Sequence, residues 1–180
     1  MPSGPTFIHP TSEVSDDALV GEGTAIWNWS KVRERAILGE QCNVGQSVYI
    51  DIDVVLGARC KVQNGVSIFQ GVTLGAEVFV GPNATFTNDL YPRAQSPEWT
   101  IIPTVVEKGA SIGANATIVC GVKLGTYCMV GAGAVVTHDV PPHALVVGQP
   151  ARVIDYVTVA GSRLNWADPS VPPPVEMLKI

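Results

Sequence analysis

Residues 44–80 read VGQSVYIDIDVVLGARCKVQNGVSIFQGVTLGAEVFV, and every sixth residue of this stretch is apolar. The column extends in both directions to fourteen positions, and a second apolar run follows in a new phase. At the chain's 46% apolar composition, chance would give the first run about twice in 100,000 trials. The two runs are Ile8, Val14, Val20, Ile26, Val32, Leu38, Val44, Ile50, Leu56, Val62, Ile68, Leu74, Val80 and Phe86, then Val106, Ile112, Ile118, Leu124, Val130 and Val136.

The six-residue period predicts an all-β solenoid. It fits neither a helix nor a simple alternating strand, but it fits a short strand followed by a corner. Three such units make a triangular coil of eighteen residues, and coils stack about 4.8 Å apart through parallel ladders. Glycine often follows the apolar residue, and there we expect it to serve a corner with an unusual backbone dihedral. These glycines are Gly21, Gly39, Gly45, Gly57, Gly75, Gly81, Gly113, Gly125 and Gly131.

Composition narrows the class of protein. The 180 residues carry a formal net charge of −5 without a block of lysine or arginine, so we expect no nucleic-acid or membrane surface. The start of the chain does not read as a signal peptide, which predicts a cytoplasmic protein. Four cysteines lack metal or redox spacing and are expected to be thiols. Cys42 should stack under Cys60, where a disulfide is an open alternative.

Two departures from the repeat are expected to carry function or to close the fold. The frame slips between Phe86 and Val106, which predicts a loop insertion at about residues 87–103. Loops this long in a compact domain are usually functional or disordered, and the aromatics and prolines of this one predict an ordered loop that packs against a neighbouring subunit. The repeat ends near Arg152, and a proline-rich tail is expected to cap the last coil. The predicted division is a β-helix domain over 1–153 and a tail over 154–180.

Spacing by eighteen predicts two ladders on the outer surface. The first, Asn28, Gln46 and Asn64, either stacks amides along a face or binds substrate. The second contains Glu34, Ile52, Gln70 and Asn88, and it places Gln70 beside Asn88 at the mouth of the insertion. A functional role is the favoured interpretation for Asn88.

These residues resemble a known family. The hexapeptide columns and the ending over residues 147–152 look like the left-handed β-helix acyltransferases that use acetyl-coenzyme A, and the left hand comes from this resemblance alone. The segments NGVSIFQGVTL (64–74) and GPNATFTNDLYPR (81–93) are similar to the branch that N-acetylates nucleotide-linked 3-amino sugars. The second segment leans toward the dTDP-3-amino-3,6-dideoxyhexose enzymes. Enzymes of the UDP-2-acetamido-3-amino-glucuronate type are the alternative.

The chain departs from that family at two places. Members often carry a histidine where this chain has Asn28, and many have an acidic residue where Gln70 stands. His9, His138 and His143 lie outside the body of the repeat and are expected to be surface or cap residues. We therefore expect a mechanism without a histidine base, in which the departing thiolate accepts the proton.

The resemblance implies a homotrimer with active sites between subunits, a nucleotide-linked amino sugar and acetyl-coenzyme A as substrates, and no metal. The hypothetical roles are catalytic for Asn88 and Asp89; substrate-binding for Gln46, Gln70, Tyr91, Arg93 and Arg33; and coenzyme-binding for Ala114, Gly131, Ala132, Pro150 and Arg152. Two other readings stay open. One is a trimeric carbonic anhydrase, which would need three histidines on zinc. The other is a non-catalytic scaffold or binding module.

Overall fold

The computed structural model describes residues 4–95 and 99–179, so residues 96–98 of the predicted insertion lie outside the described part. Strands of two or three residues dominate, and two longer strands and a short helix follow them. The elements are β1 (Phe7–Ile8), β2 (Glu13–Val14), β3 (Leu19–Val20), β4 (Ala25–Ile26), β5 (Lys31–Val32), β6 (Ile37–Leu38), β7 (Asn43–Val44), β8 (Tyr49–Ile50), β9 (Val55–Leu56), β10 (Lys61–Val62), β11 (Ser67–Ile68), β12 (Val72–Leu74), β13 (Phe79–Val80), β14 (Thr85–Phe86), β15 (Thr104–Val106), β16 (Ser111–Ile112), β17 (Thr117–Ile118), β18 (Lys123–Leu124), β19 (Met129–Val130), β20 (Val135–Val136), β21 (Ala144–Gly148), β22 (Ala151–Tyr156) and α1 (Val175–Leu178).

Three sheets of parallel strands form the faces of a triangular prism, because each strand from β1 to β17 pairs with the third strand after it. Face A has the order β1-β4-β7-β10-β13-β16-β19-β21-β22, face B β2-β5-β8-β11-β14-β17-β20, and face C β18-β15-β12-β9-β6-β3. Pairs such as Ala25↔Asn43 and Asn43↔Lys61 confirm the predicted offset of eighteen residues. Only β21 and β22 pair antiparallel among the described strands.

The position of a residue in this solenoid is described by the number of its coil and the name of its corner. Coil 1 contains β1–β3, coil 2 β4–β6, coil 3 β7–β9, coil 4 β10–β12, coil 5 β13–β15 and coil 6 β16–β18, and coil 7 begins with β19 and β20. The AB corner joins a face A strand to the next face B strand, the BC corner joins faces B and C, and the CA corner returns to face A.

The apolar column fills the prism as predicted. From Ile26 to Phe86 and from Val106 to Val136, every member is buried to 2% exposure or less. Ile8, Val14 and Val20 are exposed or half-buried, because they belong to the first coil, which has a neighbouring coil on one side only. All four cysteines are buried and free, so the alternative of a Cys42–Cys60 disulfide is not realised.

The predicted reason for the recurring glycines is wrong. Gly39 and Gly57 have no left-handed φ; instead, a Cβ on either would lie 2.5–2.7 Å from backbone atoms of the next coil. The left-handed φ falls three residues after the apolar residue of the column, and so two residues after the position where glycine recurs, as at Trp29 (58°) and Arg35 (57°). Glycine is therefore required by the close approach of coils, and the strained corner position accepts many residue types.

The insertion enters and leaves the solenoid without disturbing its register. Val72 pairs with Thr104, an offset of 32 residues, and the next two strands keep that offset. The backbone N–H of Ile102 donates to the carbonyl of Asn88 (3.2 Å) and closes the base of the loop. Tyr91, in the loop, is 79% exposed in the single chain.

The C-terminal segment covers the last coil. Strand β22 runs antiparallel along β21 and passes through residue 153, where the domain division was predicted. The carboxylate of Asp155 is buried and accepts hydrogen bonds from the backbone N–H groups of Tyr156, Asn165 and Trp166 and from Arg163. This carboxylate ties the tail to the hairpin. Over the described residues, no helix is long and apolar enough to cross a bilayer.

Candidate functional site

Gln70 and Asn88 are neighbours on the BC corner of coils 4 and 5. The pairing of Ser67 with Thr85 on face B puts the two amides at equal offsets on adjacent coils, as the spacing predicts. Both side chains are half-buried. Gln70 Nε2 donates to Asp53 Oδ2 (3.0 Å), and among the described residues no donor occupies its carbonyl oxygen. Asp53 in turn holds Arg35 through two bonds of 2.7 and 3.0 Å, so Gln70 is oriented by a fixed pair.

Asp89, Tyr91 and Arg93 follow Asn88 in the insertion. Asp89 Oδ1 accepts the backbone N–H of Tyr91 (2.9 Å), which turns the chain at the start of the loop and leaves Oδ2 unoccupied by that turn. The side chains of Tyr91 and Arg93 are exposed, and Arg93 donates to the carbonyl of Pro92 (2.8 Å). Only Asp89 of these three lies at the mouth of the loop beside the amides.

Arg33 lies on the same BC corner, two coils before Gln70. Its guanidinium donates to Glu34 (2.7 Å) and approaches the Tyr49 hydroxyl (3.4 Å). The Tyr49 hydroxyl donates to Asp51 (2.9 Å), whose other oxygen accepts the backbone N–H of Gln70 (3.2 Å). The hydrogen bond to Glu34 and that to Tyr49 raise the pKa of Arg33 above its ordinary value. Arg33 therefore has partners already and would have to exchange one to hold a phosphate.

Gln46 lies elsewhere, on the AB corner of coil 3. The spacing of eighteen is confirmed there, since Asn28, Gln46 and Asn64 line one surface depression of about 250 Å³. Trp27, Asn43 and Gln63 complete its side-chain lining. These three residues lie outside the column spaced by eighteen that contains Asn28, Gln46 and Asn64, so that spacing does not predict them. The sequence does contain the information needed to find them, because the outward-facing residue of a strand and the corner that follows it lie along the same edge of the prism.

The proposed coenzyme-binding residues occupy the C-terminal end of the molecule. Ala114, Gly131 and Ala132 lie on the AB corner of coils 6 and 7. Pro150 is in the turn of the β21–β22 hairpin, whose neighbouring Gln149 donates to the carbonyl of Gly133 (2.7 Å). The hairpin tip is thereby fixed against the AB corner.

Arg152 and His138 line one cavity of about 320 Å³ near the end of the prism. Arg152 pairs with Val147 across the hairpin, and its exposed guanidinium donates to the carbonyl of Ala151 (2.8 Å). His138 is exposed and lies on the BC corner of coil 7, in the column of Asn88. His143 is half-buried beside Tyr127, with ring centroids 5.3 Å apart, and contacts the carbonyl of Val157. Both histidines follow the last regular hexapeptide of the sequence, as predicted, but the continuation of the Asn88 column to His138 was not predicted.

The three histidines do not converge. His9 is in coil 1, where its Nδ1 contacts the hydroxyl of Thr11 (2.9 Å), and the other two lie near the opposite end. In the ranges 4–95 and 99–179, no group of three or more His, Cys, Asp or Glu side chains is arranged to hold a metal ion.

This architecture is similar to that of known hexapeptide-repeat proteins. A bacterial transferase hexapeptide model (six repeats) matches residues 103–138, and a model of the hexapeptide repeat of succinyl-transferase matches residues 35–70. The chain is 42% identical over 65 residues to a dTDP-3-amino-3,6-dideoxy-α-D-galactopyranose 3-N-acetyltransferase from Aneurinibacillus thermoaerophilus. That match covers 36% of this chain and 34% of the relative, so the chain spans about a third of the curated relative.

Solved structures give the same architecture. A hexapeptide-repeat-containing acetyltransferase from Vibrio cholerae, in complex with acetyl-coenzyme A, is 31% identical with a TM-score of 0.52, over 63% of this chain and 69% of that one. The acetyltransferase domain of PglB from Neisseria gonorrhoeae is 23% identical with a TM-score of 0.54, over 83% of this chain and 58% of that one. The second likeness concerns the fold alone. The fold is the left-handed parallel β-helix that the resemblance implies, and the chain belongs to the hexapeptide-repeat acetyltransferase family.

Proposed function

We propose that the protein transfers the acetyl group of acetyl-coenzyme A to the 3-amino group of a dTDP-linked 3-amino-3,6-dideoxyhexose. The observation that carries the proposal is the pair Gln70 and Asn88, stacked on one corner where the insertion leaves the solenoid, with Asp89 next in the chain. The identity to the 3-N-acetyltransferase from A. thermoaerophilus supports the substrate, and the V. cholerae structure with acetyl-coenzyme A supports the donor.

The residues at this corner fit the needs of amide formation. The sugar amine attacks the thioester carbonyl carbon, a C–N bond forms, the C–S bond breaks, and the coenzyme A thiolate takes up the amine proton directly or through water. Asn88 and Asp89 hold and orient the amine, and the carbonyl oxygen of Gln70 is a further acceptor for its N–H groups. Positioning supplies most of the acceleration, because a sugar amine is neutral in good part near pH 7.

The proposed residues are divided between two edges of the prism. Asn88, Asp89 and Gln70 lie on the BC corner, whereas Ala114 and Ala132 lie on the AB corner, across the width of face B. A single chain therefore does not bring Asn88 and Asp89 against Ala114 and Ala132, although Arg152 shares a cavity with His138 near the BC corner. We propose that a second subunit completes the site and that the protein is a homotrimer, with the exposed Tyr91 of the loop directed at the neighbour. Arg93 and Arg33 would face the diphosphate, and Arg152 the 3′-phosphate of the coenzyme.

The test is thiol release from acetyl-coenzyme A with a panel of amino-sugar nucleotides. We expect turnover of a dTDP-3-amino-3,6-dideoxyhexose and at least a hundredfold lower kcat for Asn88→Ala, since the amine loses its positioning group. Gln95→Ala, an exposed amide in the same loop, is the matched control and should retain full activity.

Three outcomes would contradict the proposal at different levels. Near wild-type turnover by Asn88→Ala would remove Asn88 from the catalytic set. Turnover of a UDP-2-acetamido-3-amino-glucuronate alone would keep the chemistry and change the substrate. Failure to turn over any acceptor, in a protein that also fails to bind the coenzyme, would favour a non-catalytic scaffold.

A further inference from the structure

The depression at the AB corner of coils 2–4 has an unusual lining. Five of its side chains are primary amides, one is an indole, and none is charged. The amides are Asn28, Asn43, Gln46, Gln63 and Asn64. A depression of about 250 Å³ with this lining suits an uncharged polar ring better than a phosphate or a carboxylate.

Two of the amides have a fixed orientation. Trp27 Nε1 donates to Asn43 Oδ1 (2.9 Å), and the backbone N–H of Gln46 donates to Asn64 Oδ1 (2.9 Å). Because a donor occupies each oxygen, the orientation of both amides follows from the hydrogen bonds. The two Nδ2 groups are left as donors for a ligand that carries carbonyl acceptors.

An aromatic surface adjoins these donors. The indole of Trp27 is 44% exposed and contacts the ring of Phe7, with centroids 5.4 Å apart and the ring planes inclined by 55°. Trp29, next along the same corner, is 62% exposed. Planar heterocycles stack on such side chains, and the indole of Trp27 is already held by its hydrogen bond to Asn43.

We propose that this depression binds the pyrimidine base of the nucleotide-linked acceptor, an inference that rests on the proposed function. Carbonyl acceptors and an N–H donor on one planar ring match what the amides and the indole offer. The diphosphate would lie outside the depression, which has no charged lining residue.

The axial order of the coils supports this assignment. The depression centres on coil 3, Asn88 lies on coil 5, and Ala114 and Ala132 lie on coils 6 and 7. Two coil spacings of about 4.8 Å put the depression about 10 Å from the level of Asn88 along the axis. Because the depression lies on the AB corner and Asn88 on the BC corner, the depression of one subunit would serve Asn88 of its neighbour. The acceptor would then approach the reaction level from the N-terminal coils and the coenzyme from the C-terminal coils. Their reactive ends meet at the level of the insertion.

The experiment measures binding without coenzyme or an amino sugar. Thymidine, dTDP and glucose 1-phosphate are titrated calorimetrically into the full chain and into Asn43→Asp and Asn64→Asp. Each variant keeps the oxygen that accepts from Trp27 or Gln46 but replaces the Nδ2 donor with an oxygen that repels a carbonyl. We expect about tenfold weaker binding of both thymidine and dTDP in each variant. Thymidine is uncharged, so its loss cannot be ascribed to repulsion of the diphosphate.

Gln41→Glu is the matched control. It adds the same single charge in coil 2, but on the CA corner at an exposed position, and it should bind all three probes as wild type does. Unchanged thymidine binding in both variants would overturn the inference, as would a loss confined to glucose 1-phosphate, which would make the depression a sugar site.

The failure of this inference is distinguishable from failure of the proposed function. Acetyl transfer that persists in Asn43→Asp with an unchanged KM for the sugar nucleotide would refute the base site and leave the activity standing. Pyrimidine binding that responds to both variants, in a protein that acetylates no amino sugar, would refute the proposed activity and leave the base site standing. If both proposals hold, the variants should raise KM about tenfold and leave kcat near wild type.

Discussion

Replacing Gly57 by alanine is expected to lower the free energy of unfolding by about 3 kcal/mol. The added Cβ would lie 2.5 Å from the backbone nitrogen of Ala76 and 2.6 Å from the carbonyl carbon of Gly75 on the next coil. Ordinary carbon contacts are about 3.5–4.0 Å, so the two coils must separate locally by about 1 Å. Loss of the hydrogen bond from the backbone N–H of Gly57 to the carbonyl of Leu74 (2.8 Å) would cost about 1 kcal/mol of stability. Overpacking would cost about 1–3 kcal/mol more.

Gly133→Ala separates this explanation from one based on backbone dihedrals. Gly133 has a left-handed φ of 69°, and nothing lies within 4 Å of its Cβ position. Alanine there should cost about 1 kcal/mol for the dihedral alone. Urea unfolding followed by circular dichroism, at one fixed protein concentration, measures both variants. A loss in Gly57→Ala no greater than that in Gly133→Ala would refute the argument that glycine is kept for close stacking of coils.

Three further predictions concern the core, the cap and the thiols. Ile68→Ala, at a fully buried position, should lower the free energy of unfolding by about 2–5 kcal/mol in the same urea assay, and a value below about 1 would argue against a packed prism. Asp155→Asn should cost about 2–4 kcal/mol, because an amide nitrogen would face N–H donors. Burial alone would raise the pKa of Asp155, but the N–H donors and Arg163 outweigh burial and lower this pKa. The stabilisation by the Asp155 carboxylate is therefore complete above the ordinary value of 3.8 and is lost as pH falls through the lower folded-state pKa. A stability difference between wild type and variant that does not shrink on acidification would contradict this assignment. A thiol reagent should label none of the cysteines within minutes in the native protein and all of them in urea, because every one of them is buried; the residues are Cys42, Cys60, Cys120 and Cys128. The hydrogen bond with Cys60 lowers the pKa of Cys42, so Cys42 tests whether burial alone prevents labelling, whereas burial raises the pKa of Cys128 to about 12.

The fold could be predicted because one period determines both the strand and the stack. When every sixth residue points inward, a register offset of eighteen follows without knowledge of any tertiary contact, and pairs such as Lys61↔Phe79 confirm it. Glycine was misread because the same residue type serves two needs. Freedom of φ and lack of a Cβ both select glycine, and only the positions of Gly75 and Ala76 on the next coil reveal which need applies at Gly57.

The parts that escaped prediction depend on contacts outside the period. The hairpin over the last coil is held by Asp155 through donors ten and eleven residues away, at Asn165 and Trp166, and no column predicts them. The lining of the AB depression joins Trp27 to Asn43, sixteen residues apart, which a search restricted to offsets of eighteen passes over. The ladder containing Gln70 and Asn88 was predictable because it stays within that offset.

The insertion adds a loop to the solenoid without changing the register of the strands on either side. Val72 and Thr104 are 32 residues apart, whereas Val55 and Thr73 are 18 apart, so the loop adds 14 residues to one coil. The hydrogen bond between Ile102 and Asn88 closes those residues off at the corner, and the next coil resumes the ladder in register. Axial position therefore stays proportional to the count of coils on both sides of the loop. The three proposed subsites lie on coils 2–4, 5 and 6–7 and keep fixed spacings along the prism. If the proposed subsites hold, a change of acceptor sugar would require changes in the loop or at Gln70, whereas a change of nucleotide would require changes in the N-terminal coils.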